Sequence, residues 1–161
     1  MPTARPNKIW VSSHVLEALS SEASEKRPLE TGGCLAGYYS EAGAELVISH
    51  ALGPGPNAEH SAFSFVPDRR YDDKELAKLW RISGRTVRYV GDWHSHPRGT
   101  SELSGIDRAF MRHALGSRKA YLKYALVCLV YGDLTRTRWW CLIRRPFGLG
   151  REFYEIPFET Y

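Results

Sequence analysis

A chain of 161 residues with 43% hydrophobic composition is long enough for one packed core and short for two, so residues 1–161 are expected to form a single domain. Its 22 Lys and Arg against 18 Asp and Glu leave a formal charge of +4 and a pI of about 9.0, which suits acidic partners but is too mild to argue for nucleic acid. No stretch has the length of a membrane span, and the start M-P-T-A-R-P-N-K lacks the apolar core of a signal peptide. Cys34, Cys128 and Cys141 are an odd number, widely spaced in apolar runs, so a soluble cytoplasmic protein with reduced core thiols is expected.

In chain order, K-I-W-V reads as a short strand, and S-S-H-V-L-E-A-L-S-S-E-A-S-E-K as an amphipathic helix with a serine cap, its apolar face marked by Val15, Leu16 and Leu19. T-G-G-C-L-A-G-Y-Y and A-E-L-V-I-S-H-A-L, joined across S-E-A-G, predict a β-hairpin. G-P-G-P-N-A-E-H is a loop by composition. S-A-F-S-F-V alternates as a strand does. Beyond Pro67, D-R-R-Y-D-D-K-E-L-A-K-L-W-R-I-S carries acidic residues in its early turns and stops at Gly84, the pattern of a helix. T-V-R-Y-V-G-D-W-H-S-H is a strand closed by Pro97. S-G-I-D-R-A-F-M-R-H-A-L is a capped helix ending at Gly116. Y-A-L-V-C-L-V-Y, T-R-W-W-C-L-I-R-R and R-E-F-Y-E-I-P-F complete the chain as three strands. The pattern is mixed α/β, with helices flanking a mixed or antiparallel sheet.

Chemistry concentrates in G-D-W-H-S-H-P-R-G-T-S-E-L-S-G-I-D, residues 91–107. His94 and His96 are two apart on a strand, so both imidazoles leave one face while Trp93 and Ser95 leave the other. Ser104 stands where the next helix begins and Asp107 three residues on, the spacing of a capping box. Chain reversal at Pro97 and Gly99 can return that turn over the strand end. Two imidazoles and one carboxylate with a fourth position open make a catalytic metal site rather than a structural one. Each half has a plainer reading alone, as half-exposed histidines or as a simple helix cap. A carboxylate is also needed to move protons, and the residues by themselves do not choose between Glu30 and Glu102.

The run H-S-H-P-R-G-T-S-E-L-S-G-I-D resembles the H-x-H-P, six residues, S-x-x-D signature of the JAMM (JAB1/MPN/Mov34) metallopeptidases, and Glu30-Thr31-Gly32-Gly33 resembles their upstream glutamate segment. The similarity in element order covers nearly the whole chain and is to the small stand-alone bacterial type, which resembles deubiquitinases. It implies an MPN (cytidine deaminase-like) α/β domain holding one zinc ion per chain through His94, His96 and Asp107. It also implies Glu30 as general acid/base and Ser104 as the group that steadies the oxyanion. The implied partner is a ubiquitin-like protein or its conjugate, together with E1-like and E2-like enzymes of the same operon, antiphage operons included. The stretch from Arg108 to Lys123 is short, so the long insertion that some family deubiquitinases use to grip ubiquitin is absent or vestigial.

Two residues are candidates for the wall that guides a substrate tail: Phe63 and Phe65, on one face of the alternating run; the alternative is that both are core. His14, His50, His60 and His113 have no spacing that suggests metal. Arg136, Arg138, Arg144, Arg145 and Arg151 read as solvated strand ends rather than a nucleic-acid stripe. Other functions remain open at this stage: a non-catalytic MPN scaffold, or release of a small adduct from a sulfur-carrier tail. A deaminase is disfavoured because H-x-E…P-C-x-x-C is missing.

Overall fold

The computed structural model describes residues 5–40 and 45–161. The elements are β1 (Ile9–Val11), α1 (Ser13–Lys26), β2 (Gly32–Tyr39), β3 (Leu46–Ala51), β4 (Glu59–His60), β5 (Phe65–Val66), α2 (Arg69–Ile82), β6 (Arg88–His96), α3 (Gly105–Gly116), β7 (Ala125–Tyr131), β8 (Arg136–Arg144), β9 (Arg151–Glu155) and β10 (Phe158–Thr160). Eight strands form one mixed sheet in the order β10-β1-β3-β2-β6-β7-β8-β9, and β4 and β5 form a separate small hairpin. The pairs β1/β10, β1/β3 and β6/β7 are parallel, which makes the sheet mixed, as the α/β pattern implied.

Both faces of the sheet are covered, and β7 shows how the sequence encodes this. Leu126, Cys128 and Val130 face the α1 side, where Val15, Leu19 and Ala23 pack. Ala125, Val127 and Leu129 face the α3 side, under Met111 and Leu115. A strand buried on both faces reads as a continuous apolar run, and A-L-V-C-L-V is one. All three cysteines are buried and free.

Three local expectations change. S-A-F-S-F-V is not one strand but the turn and second arm of the β4–β5 hairpin. The Ser61 hydroxyl accepts the Phe63 and Ser64 N–H groups at 3.3 and 3.0 Å, offering the backbone a local partner in place of a ladder. R-E-F-Y-E-I-P-F is two strands, because Pro157 has no N–H to continue the pairing. β9 and β10 lie at opposite edges of the sheet with only Ile156 and Pro157 between them, so the sheet curls until its ends approach: Ile156 N–H donates to the Trp139 carbonyl at 2.9 Å, and Ile9 N–H to the Pro157 carbonyl at 3.0 Å. Ser12 occupies the cap position of α1 but makes no side-chain cap bond; its N–H goes to Ile48 instead. A Cβ on Gly32 would meet the Trp93 carbonyl and, at 2.8 Å, the Phe65 ring, and one on Gly33 the Leu52 carbonyl, so these two glycines let neighbouring backbone approach closely. The first hairpin is present as antiparallel β2/β3, while its expected turn falls mostly on residues 41–44, outside the described residues.

Candidate metal centre

β6 ends in the site. Its alternation turns Trp93 and Ser95 into the interior and leaves His94 and His96 on the opposite face. The interior pair is fixed: Trp93 Nε1–H donates to the Leu52 carbonyl at 2.9 Å, and Ser95 Oγ accepts the Thr31 N–H at 3.0 Å while Ser95 N–H donates to the Thr31 carbonyl at 2.8 Å. After Pro97 the chain reverses at Gly99, whose φ of 94° favours glycine and whose N–H donates to the His96 carbonyl at 3.0 Å. The reversal brings the Thr100 carbonyl to 3.0 Å from His96 Nδ1. α3 then starts with a full capping box. Ser104 Oγ accepts the Asp107 N–H at 3.1 Å, and Asp107 Oδ2 accepts the Ser104 N–H at 2.7 Å. The cap orients the carboxylate, leaving Oδ1 directed at His94 Nε2, 3.0 Å away.

Three ligand atoms therefore converge: His94 Nε2 and His96 Nε2 lie 3.1 Å apart, Asp107 Oδ2 lies 3.7 Å from His96 Nε2, and one ligand atom from each residue falls within 4.8 Å of the others. His96 donates its Nδ1 hydrogen to Thr100, so in the neutral ring Nε2 is a bare lone pair facing another imidazole, an arrangement a cation stabilises. Burial first, then His94, lowers the His96 pKa, outweighing the Thr100 carbonyl and Asp107, which favours that neutral ring. Burial alone would raise the Asp107 carboxyl. Hydrogen bonds and charge from His94, with the Ser104 backbone and hydroxyl, reverse this and hold it well below the usual carboxylate range. Metal–nitrogen bonds of about 2.0–2.1 Å at tetrahedral angles separate two nitrogens by about 3.3 Å. The donor set fits a divalent metal ion with a position left open.

The cluster lies in the wall of a cavity of about 470 Å³, also lined by Glu30, Phe63, Phe65, Arg98, Ser104 and Phe110. Glu30 precedes β2 and is held by its backbone: its N–H donates to the Ser61 carbonyl at 2.8 Å, and its carbonyl lies 2.9 Å from His60 Nδ1. Burial is the main influence on its carboxyl and raises the pKa, against His94 and together with Asp107. Glu102 is turned away, exposed, and paired with Arg138, so the geometry separates two glutamates that spacing alone could not. Phe63, 73% exposed, is not core; it projects at the hairpin turn with Arg98 4.6 Å above its ring. Phe65 is half-buried beside Gly32. Sequence reasoning missed His60, which had no telling spacing, and Arg98, whose only signal was its place directly after H-S-H-P.

A mixed sheet flanked by helices, with a His-His-Asp cluster at a strand end and a capped helix start, defines a JAB-type metallopeptidase. The family model described as "Prokaryotic homologs of the JAB domain" matches residues 12–142, and the chain belongs to that family. It is 38% identical over 128 residues to a probable metalloprotease, y4qB, of Sinorhizobium fredii, covering 79% of this chain and 77% of that one. A CD-NTase/cGAS isopeptidase of Enterobacter hormaechei is 33% identical over 99 residues, 62% of this chain and 53% of that protein. One of Pseudomonas aeruginosa is 35% identical over 82 residues, 50% of this chain and 49% of that protein. The solution structure of DSY2949 from Desulfitobacterium hafniense shares the fold, with a TM-score of 0.63 at 18% identity over 95% of this chain and 94% of that one. Among the described residues no helix is long and apolar enough to cross a membrane.

Proposed function

We propose that this metalloprotease is a zinc-dependent isopeptidase or peptidase that cuts after the C-terminal tail of a ubiquitin-like protein, freeing it from a conjugate or trimming a precursor. The observation that carries the reading is the convergence of His94, His96 and Asp107 in one cavity wall with Glu30 lining the same cavity. These three residues would hold one zinc per chain, which when bound supplies a water of near-neutral pKa and polarises the scissile carbonyl. Glu30 takes a proton from the attacking water as its oxygen bonds to the carbonyl carbon. It returns that proton to the nitrogen as the C–N bond breaks. A carboxyl whose pKa burial raises suits this shuttle. Ser104 Oγ uses its acceptor side on the Asp107 N–H, leaving its own O–H to donate to the carbonyl oxygen as that atom gains charge.

Phe63 and Phe65 form the wall that guides the tail. The relatives named CD-NTase/cGAS isopeptidases support an isopeptide bond as the scissile link; E1-like and E2-like enzymes of an antiphage operon are the partners that this reading proposes. Three buried free thiols agree with action in the cytoplasm. The test compares a ubiquitin-like protein fused to cargo after its terminal glycine with the isolated tail peptide. The intact fusion is expected to be cut much faster. Equal rates would reject a docked ubiquitin-like body, and release of a single amino acid from a carrier tail, with no fusion cut, would favour small-adduct hydrolysis.

A further inference from the structure

The one buried residue of α2 is a carboxylate, Asp72. Its side chain is 3% exposed, and neither oxygen has a hydrogen-bond partner, a costly state for a charged group. The donors nearby are directed elsewhere. The Tyr89 hydroxyl donates to Asp92 Oδ2, and the Cys34 thiol, 3.8 Å from Asp92 Oδ1 and also beside Asp72, has one weak hydrogen between the two, so burial still raises the Asp72 carboxyl. Arg69 Nη1 stands 3.7 Å from Asp72 Oδ2 and 3.8 Å from Asp92 Oδ1, beyond hydrogen-bond reach of either. Two buried carboxylates thus share one half-exposed guanidinium.

Asp72 lines a second cavity, of about 320 Å³, between α2, α3 and the sheet, with Cys34 and Tyr89 from the sheet and Leu76, Phe110 and Ala114 from the helices. Arg69 and Phe110 line both this cavity and the one at the metal centre. The volume is at the small end of the range for ligand pockets, about 300–1,000 Å³. An unpaired carboxylate calls for an occupant with N–H donors and a positive charge. Arg69 and Lys119 line the cavity as well, matched in charge by Asp72 and Asp73, so the preference for a cation rests on the buried, unpaired carboxylate. Among the described residues the cluster with metal-ligand spacing is His94, His96 and Asp107; Asp72, Asp92 and Cys34 do not gather as closely.

We propose that this second cavity binds a small organic cation, its primary ammonium or guanidinium group seated on Asp72 and its hydrocarbon part against Leu76, Phe110 and Ala114. The same group occurs on free amines and on protein lysine side chains, and the binding does not depend on the peptidase reading. Titration calorimetry of the full chain with agmatine, cadaverine and a lysine-containing peptide tests it, with tetramethylammonium as a cation that has no N–H. At least one amine is expected to bind one to one, with tetramethylammonium at least about tenfold weaker, as loss of a charge-assisted hydrogen bond implies. Binding by the free amines assigns a small molecule as occupant; binding by the peptide alone assigns a protein side chain. Asp72→Asn is expected to weaken binding by about tenfold or more. Ala114→Phe, which fills the cavity and leaves the carboxylate in place, should do the same and decides the matter if Asp72→Asn fails to fold. No saturable binding of any amine to the native chain, or undiminished binding by Asp72→Asn or Ala114→Phe, overturns the proposal.

Discussion

The wall of the cleft made by β6 and the start of α3 holds each of its polar side chains by a bond to backbone or to another ligand, whereas the facing β4–β5 hairpin has two residues in each strand and an exposed phenylalanine at its turn. His96 is tied to the Thr100 carbonyl and Asp107 to the cap of α3; the exposed Phe63 ring lies under Arg98. A metal-ligand set, as proposed for the first wall, needs its atoms fixed to within tenths of an ångström, and the hydrogen bonds of that wall supply the orientation. A wall that receives a flexible tail, the role proposed for the hairpin, works with adaptable apolar contact. Glu30 belongs between the two, its backbone bonded to Ser61 and His60 of the hairpin and its neighbour Thr31 bonded to Ser95 of β6.

The contrast breaks first on the rigid wall. His94→Ala or Asp107→Ala should abolish hydrolysis and remove most of the bound metal, read as metal content per chain beside the cleavage rate; retention of both would dissolve the distinction between the walls. Glu30→Gln should keep the metal and still bind the fusion while turnover falls about a hundredfold or more, the range of a positioned acid–base group. A variant that also loses metal would move Glu30 into the ligand set. Ser104→Ala separates two duties by melting and kinetics together. Its turnover should drop about ten- to a thousandfold if its O–H meets the oxyanion, and its stability by roughly 1 kcal/mol from the lost cap. Unchanged melting and unchanged rate would remove Ser104 from both. The smallest effect belongs to the hairpin: Phe63→Ala should raise KM about fivefold, the cost of roughly 1 kcal/mol of contact, and leave kcat and melting nearly unchanged. A drop in stability would mean Phe63 is packed after all.

The same contrast explains what could be read in advance. The ligand wall is local in sequence, since His94, His96, Ser104 and Asp107 fall within fourteen residues whose strand alternation, proline stop and capping box each follow from short-range rules. The hairpin is not. In S-A-F-S-F-V the alternation of apolar residues suggested a strand, but a serine hydroxyl closing a turn on its own backbone won. The residues alone left Glu30 and Glu102 level and the family resemblance chose Glu30, while the bond of Thr31 to Ser95 of β6 that sets Glu30 beside the cleft spans 64 residues and has no local signal. The break at Pro157 was legible in its missing N–H, but placing β9 and β10 at opposite edges required knowing that the sheet curls. Asp72 sits in D-D-K-E, which reads as a solvated helix face, and only packing against Cys34 and Tyr89 reveals it as buried.

The central claim is that His94, His96 and Asp107 hold a zinc ion without which Glu30 has no water to work on. It is tested most directly by following cleavage of a ubiquitin-like fusion by the chain stripped of metal, before and after one equivalent of zinc is returned. No cleavage before and recovery of the native rate after is the expected result; full activity in the metal-free protein would contradict it.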